Sequence, residues 1–282
     1  MINNLGYKRK LFILPFDHRS SFAKLLGFAN SKLSLEEKEI IIGAKEIIYS
    51  AFKRAVEEEI SKEQAAILID EEYGDKIIRD AIAQDFNVIL STEKSGQEEF
   101  VFEYGDDFAS HIEKYKPTFA KALIRYQSDM DWSKLKMLSD YCHSHGYKFL
   151  LEVLMGINIP NAKNLLPAII DLREKGIEPD VWKLEGMENK NDYELVVVKI
   201  HEGGRQNVGL IILGRGESKE KVEQWIRAGK DVGGIIGFAV GRTIFREPLT
   251  EYRNGKIEKE KAIEIIKNNF LHFYNIFTNK GL

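Results

Sequence analysis

Cysteine is almost missing from this chain. Cys142 is the only one in 282 residues, which excludes an internal disulfide and any cluster of thiolate metal ligands. No charge of one sign dominates: 41 basic residues face 44 acidic ones, so no field draws the chain to nucleic acid or to an anionic membrane. No apolar run approaches the length of a membrane span. Residues Met1 to Lys10 are polar and lack the apolar core of a signal peptide, so a soluble, cytoplasmic protein is expected. Gly/Ser-rich linkers and breaks in composition are also missing. Residues 1–282 therefore read as one domain, a size common for an α/β barrel at roughly 250 residues.

What is present is a regular alternation. Apolar runs at Leu11–Phe16, Ala66–Asp70, Asn87–Leu90, Phe119–Tyr126, Tyr147–Leu154, Asp180–Leu184, Val208–Leu213 and Gly234–Phe238 read as strands buried on both faces. Helical patterns separate them. Ser34 and Glu37 form a capping box at the start of the longest, which runs to about Glu59, and another helix runs from Lys76 to Asp85. A final amphipathic helix spans Ile257 to Phe277, with Phe270, Phe273 and Phe277 at helical spacing. Eight strands alternating with helices predict an α/β fold, a single right-handed (β/α)8 TIM barrel; an open doubly wound sheet is the alternative.

In such barrels the chemistry lies at the C-terminal strand ends. Here those ends carry Asp17, Glu71 and Glu72, Glu93 and Lys94, Arg125, Glu152, Lys183, Arg215 and Arg242. A solvated rim would be polar too, but it would not set Lys121, Glu152 and Lys183 inside apolar strands. Strand alternation turns Val181, Lys183 and Glu185 to one face and Trp182 and Leu184 to the other. If the second pair meets the helices, Lys183 faces the lumen. An amine there loses water and with it basicity, which makes it a nucleophile for a carbonyl.

The remaining roles follow from chemistry. Lys121 adds a positive field that favours the neutral form of Lys183. Glu152 shuttles the protons of iminium formation and hydrolysis, and Asp17 accepts the hydroxyl proton when a C–C bond breaks. Gly214 and Arg215 after strand seven, with Gly241 and Arg242 after strand eight, form the expected phosphate site. The ordinary alternatives are a lysine that snorkels to solvent and glycines that only make turns. His143 and His145 read as a surface pair rather than a metal site, and His18 as a residue supporting the site. Gly203 to Arg205 lacks the lysine and hydroxyl of a phosphate loop. Asp70 to Asp75 lacks calcium-loop spacing. Trp132, Trp182 and Trp225 read as helix-packing residues.

Several stretches together carry a resemblance. They are Leu-Pro-Phe-Asp17-His18-Arg19, Asp-Glu-Glu-Tyr-Gly, Thr-Glu-Lys94-Ser-Gly, Arg125-Tyr, Leu-Glu152-Val-Leu, Trp-Lys183-Leu-Glu-Gly, Leu-Gly-Arg215-Gly and Gly-Phe-Ala-Val-Gly241-Arg242-Thr. The chain resembles the aldolase domain found behind 5-dehydro-2-deoxygluconokinase in bacterial inositol catabolism (domain of unknown function 2090). More distantly, it is similar to class I tagatose-1,6-bisphosphate aldolase. The resemblance implies a Schiff base on Lys183 aided by Glu152, Lys121 and Asp17, with Arg19, Glu72, Lys94, Arg125, Gly214, Arg215, Gly241 and Arg242 holding substrate. It implies cleavage of 5-dehydro-2-deoxygluconate 6-phosphate to dihydroxyacetone phosphate and malonate semialdehyde, without cofactor or metal. The expected partner is a small sugar phosphate, not nucleic acid or membrane, and a homo-oligomer is left open. A tagatose- or fructose-bisphosphate-type aldolase, a non-catalytic sugar-phosphate sensor and a barrel isomerase are the competing readings.

Overall fold

The apolar runs close on themselves. The computed structural model describes residues 4–28, 32–156 and 160–280, so Met1 to Asn3 of the polar N-terminus lie outside the described residues. Its strands are β1 (Leu11–Pro15), β2 (Ala65–Ile69), β3 (Asn87–Ser91), β4 (Phe119–Arg125), β5 (Lys148–Leu154), β6 (Val181–Glu185), β7 (Gly209–Leu213) and β8 (Ile235–Ala239). Each pairs in parallel with the next, and β8 returns to β1, giving a closed (β/α)8 barrel rather than an open sheet. Around it lie α1 (Ser20–Leu25), α2 (Leu35–Glu58), α3 (Glu71–Ala83), α4 (Phe108–Tyr115), α5 (Ser133–His145), α6 (Ala162–Glu174), α7 (Lys190–His201), α8 (Lys219–Gly229), α9 (Arg242–Arg253) and α10 (Lys259–Thr278). Among the described residues, no helix is long and apolar enough to cross a membrane.

Strand parity sorts the side chains into two cores. Leu11, Ile89, Phe119, Leu150, Val181 and Ile211 belong to a small cluster that fills the lumen. Phe12, Leu14, Phe149, Trp182 and Leu184 belong to the larger layer between sheet and helices. The lumen plug matters for what sits above it. Phe119, Leu150 and Val181 each lie two residues before Lys121, Glu152 and Lys183, so the same face turns from apolar to charged at the C-terminal ends. On the helix side, Phe270, Phe273 and Phe277 of α10 pack their rings 6.0–6.3 Å from Phe238 and cover the seam where β8 meets β1.

Helix boundaries follow local chemistry. The capping box starts α2 as expected, with Glu37 N donating to Ser34 Oγ at 3.1 Å and Ser34 N to Glu37 Oε2 at 2.7 Å. Two expectations are corrected. Helix α3 begins at Glu71 rather than Lys76, because the Asp70 carboxylate caps it by accepting from Tyr73 N at 2.9 Å. Gly74, which reads as a loop signal, sits in that helix's first turn because a Cβ there would lie 2.5 Å from the Ile69 side chain. Helix α9 was not expected, since Pro248 lies in its middle. Proline leaves the carbonyl four residues back without its amide partner. Here Asn269 Nδ2 supplies it, donating to Ile244 O at 2.9 Å.

One buried ion pair ties the C-terminal end of β1 to that of β2. Lys45 of α2 has no exposed surface; its ammonium donates to the Asp70 carboxylate and, at 2.8 Å, to Phe16 O. Burial pushes the Asp70 carboxyl above the usual range against the pull of Lys45. Removing one member strands the other charge in an apolar site. Lys45→Met is therefore expected to lower unfolding free energy by about 3–5 kcal/mol, read from denaturant titration; a loss below about 1 kcal/mol would show that Asp70 does not need its partner.

Candidate active site

The switch from apolar to charged on the lumen face puts five side chains, Asp17, Glu93, Lys121, Glu152 and Lys183, within touching distance. Register sets Glu152 beside Lys183 across β5 and β6. Lys183, 2 % exposed, donates from Nζ to Glu152 Oε2 at 2.8 Å. Lys121 Nζ lies 3.1 Å from that same oxygen, 3.0 Å from Asp17 Oδ2 and 2.5 Å from Glu93 Oε1. These groups floor a cavity of about 580 Å³ at the C-terminal strand ends, walled further by His18, Leu123 and Arg242.

The two lysines differ in company. Burial works against the Lys121 ammonium, yet Asp17, Glu93 and Glu152 together hold its proton well above the ordinary lysine range. The positive field expected from Lys121 is thus opposed by the ionised Asp17 and Glu152 in contact with it, a correction to the expected means of activating Lys183. Among the described residues, Lys183 has a single carboxylate partner, Glu152. Burial raises the Glu152 carboxyl, but Lys183 and Lys121 outweigh it and keep it below the usual range. Asp17 is likewise held far below that range, as Lys121, His18 and Lys183 overcome its burial. His18 is pushed down to about 4, because burial and the nearby Arg242 and Lys183 outweigh Asp17. Its imidazole is neutral near pH 7, and among the described residues Nδ1 has no hydrogen-bond partner.

The cationic end lies across the cavity. Gly241 is the residue before α9, and a Cβ there would sit 2.3 Å from Pro15 O, so only glycine lets β1 and β8 close this tightly. Arg242 opens α9 and donates to Arg215 O at 2.5 Å. It is the helix's first residue, not part of a loop as expected. A helix start with an adjacent guanidinium favours an anion through both dipole and charge. Arg215, in the left-handed region at φ 54°, is already engaged. It contacts buried Glu185 Oε1 at 2.5 Å and donates to Gly156 O at 2.6 Å.

Comparison sets the chain, rather than its site, among known proteins. The family described as an uncharacterized protein conserved in bacteria, DUF2090, matches residues 4–281. The chain belongs to the DUF2090 family. None of the curated proteins matches it. Among solved structures it is similar to Cgl0159 from Corynebacterium glutamicum, with TM-score 0.58, 16 % identity, and 95 % of this chain and 90 % of that one covered. It is also similar to a fructose-bisphosphate aldolase from Slackia heliotrinireducens (TM-score 0.56, 13 % identity, 92 % and 86 % covered). The YdjI aldolase from Escherichia coli K12 is a third such structure (TM-score 0.56, 10 % identity, 97 % and 93 % covered). At these identities the likeness is one of fold.

The remaining candidates of this DUF2090 chain divide. Lys94 and Arg125 are exposed on the cavity wall, as expected of residues that meet substrate. Arg19 also borders the cavity, but its guanidinium is taken up by the Glu103 carboxylate and the Glu93 carbonyl, so it fastens the loop after β1 to the loop after β3. Glu72 is outside the cavity wall, on the exposed side of α3, 3.4 Å from Lys38. It moves there because the helix starts five residues earlier than periodicity suggests. Gly214 is not on the wall either; it packs where a Cβ would meet Val240 at 3.1 Å and Val222 at 3.5 Å. His143 stands at the opposite mouth, 3.3 Å from Asp180 Oδ2.

Two site residues were given no direct role from sequence. Glu93 touches Lys121, and His18 lines the cavity beside Asp17. Glu93 was legible by parity, following Ile89 and Ser91 on the lumen face, but its position past the end of β3 hid it.

His18 sets a pH signature. Its folded value near 4 lies below the ordinary 6.5, so between those values the unfolded chain binds a proton that the folded one does not. Stability is then full above 6.5 and falls as pH drops towards 4. His18→Gln should flatten the stability curve across that window by at most about 3 kcal/mol. Urea unfolding above and inside the window measures it; an unchanged slope would contradict the assignment.

Proposed function

We propose that this protein is a class I aldolase that cleaves a keto-sugar phosphate through a Schiff base on Lys183. The observation that carries the reading is the buried Lys183 ammonium 2.8 Å from Glu152 Oε2 at the C-terminal strand ends. Two lysines compete for the role of nucleophile, and electrostatics chooses between them. Lys121 is held protonated by the carboxyl groups around it, the ionised Asp17 and Glu152 among them, and cannot attack. Lys183 has one partner, and that partner can take its proton.

The steps then balance. Lys183 passes a proton to Glu152, and its free amine attacks the keto carbon. Glu152 returns the proton to the carbinolamine hydroxyl, which leaves as water and gives an iminium. When the C–C bond breaks, its electron pair enters the iminium to form an enamine. The hydroxyl on the departing carbon loses its proton to Asp17 and becomes the aldehyde carbonyl. Protonation of the enamine and return of water release the ketone product and restore Lys183. Throughout, the ammonium of Lys121 keeps Asp17 and Glu152 in place. Arg242 and the start of α9 hold the phosphate beside the keto carbon.

The most specific form of the reading takes 5-dehydro-2-deoxygluconate 6-phosphate as substrate and yields dihydroxyacetone phosphate and malonate semialdehyde. Support comes from the motif resemblance and from cations at both ends of the cavity: Arg242 at one, exposed Lys94 and Arg125 at the other, suited to a carboxylate. Two of the structural neighbours described above are named as aldolases.

Borohydride reduction in the presence of dihydroxyacetone phosphate tests the reading. The expected result is a stable adduct on the peptide carrying Lys183, found by mass spectrometry. An adduct on Lys121, or none, would overturn it. Lys183→Ala should abolish turnover while keeping the circular dichroism of the barrel. Arg242→Ala removes a charge-assisted hydrogen bond, so KM should rise roughly ten- to a hundredfold with kcat little changed; an unchanged KM would place the phosphate elsewhere.

A further inference from the structure

Three carboxyl groups converge on Lys121, and among the described residues one further ammonium, that of Lys183, stands with them. With all five groups charged, the cluster would carry a surplus negative charge at the floor of a cavity that must admit an anionic substrate. Asp17 and Glu152 are the two members held firmly ionised, each by both lysines. Glu93 is the exception. It is 8 % exposed, and among its neighbours only Lys121 of β4, at 2.5 Å, and the Ser91 hydroxyl of β3, at 3.2 Å, bond its carboxyl group, both at Oε1.

The charges around Glu93 do not supply the missing donor. Arg19, the nearest guanidinium, gives its hydrogen bonds to the Glu93 carbonyl and to the Glu103 carboxylate. Asp17, across Lys121, repels a second negative charge. The other oxygen, Oε2, is buried and has no hydrogen-bond partner among the described residues. An ionised carboxylate would have Lys121 as its cation at Oε1 but no hydrogen-bond donor at Oε2 among the described residues. A protonated one is a donor waiting for an acceptor, and Glu93 is part of the cavity wall. Burial, with Asp17 adding to it, also drives this carboxyl above the usual range despite Lys121.

Position names the acceptor. With the phosphate at Arg242 after β8 and the keto carbon at Lys183 on β6, the rest of the carbon chain extends toward β3 and β4, where Glu93 lies. We propose that Glu93 rests as a neutral carboxylic acid and donates from Oε2 to an oxygen on the half of the substrate that leaves as the aldehyde. The proposal rests on the Schiff-base reading for the identity of that half. It separates the carboxyls by role: Glu152 and Asp17 exchange protons, while Glu93 keeps its own and recognises the leaving group.

Infrared spectroscopy in heavy water at neutral pH reads the protonation directly. The wild type should show the carbonyl stretch of a neutral carboxyl group that Glu93→Gln lacks, and adding malonate semialdehyde should shift that band. Glu93→Gln, whose amide N–H can replace the donor, should keep KM within about threefold, whereas Glu93→Ala should raise it about tenfold. The proposal is overturned if the two spectra match, if the wild-type band ignores the aldehyde, or if Glu93→Gln loses cleavage while Lys183 is still trapped by borohydride. That last result would make Glu93 a base. Failure of the aldolase reading itself looks different: the wild type would form no adduct on Lys183, whatever the infrared band does. If Glu93→Gln does not fold, the response of the wild-type band to the aldehyde alone decides.

Discussion

A single carboxylate oxygen, Glu152 Oε2, holds two ammonium groups, Lys183 at 2.8 Å and Lys121 at 3.1 Å. All three side chains are buried at the top of the barrel. Charges taken out of water are tolerated only when paired, so the position of each depends on the others. The apolar plug below makes this pairing obligatory. Phe119, Leu150 and Val181 fill the lumen beneath the charges and keep water from solvating them from that side. The barrel therefore supplies both the register that brings the groups together and the low-dielectric floor that sharpens their interaction.

Asymmetry turns this charge cluster into chemistry. Lys121 is ringed by Asp17, Glu93 and Glu152 and keeps its proton; among the described residues, Lys183 pairs with Glu152 alone. Two lysines of similar burial thus take different roles: one a fixed cation that organises the carboxylates, the other a nucleophile with a base in contact. The supports of this arrangement reach outward. Lys45 holds the carbonyl of Phe16, next to Asp17, and Arg19 holds the carbonyl of Glu93. Neither needs to touch substrate to set where the reacting groups lie.

Much of this was legible in the sequence because parity and apolarity are local. Lys121, Glu152 and Lys183 stand out as charges inside strands, and a period of two assigns them to one face. Apart from the local cap of α3, what failed depended on contacts between distant residues. Asp70 extends α3 backwards by capping it, which carries Glu72 away from the cavity. Asn269 makes α9 tolerable around Pro248 and turns Arg242 from a loop residue into a helix start. Glu185 draws Arg215 into an ion pair, and Gly214 serves packing rather than phosphate. Asn269 and Glu185 lie far from their targets in sequence, and no spacing rule could have named them, whereas Asp70 caps a residue three positions on and was legible as an N-cap. Glu93 is the intermediate case, on the right face but one step past the strand.

The central claim is that Lys183, not Lys121, forms the covalent bond. A crystal structure of the protein reduced with borohydride in the presence of dihydroxyacetone phosphate tests it most directly. The expected result is continuous density from Lys183 Nζ to the former keto carbon, with Lys121 still bound among Asp17, Glu93 and Glu152. Density joined to Lys121, or a ligand in the cavity without a bond to either lysine, would contradict it.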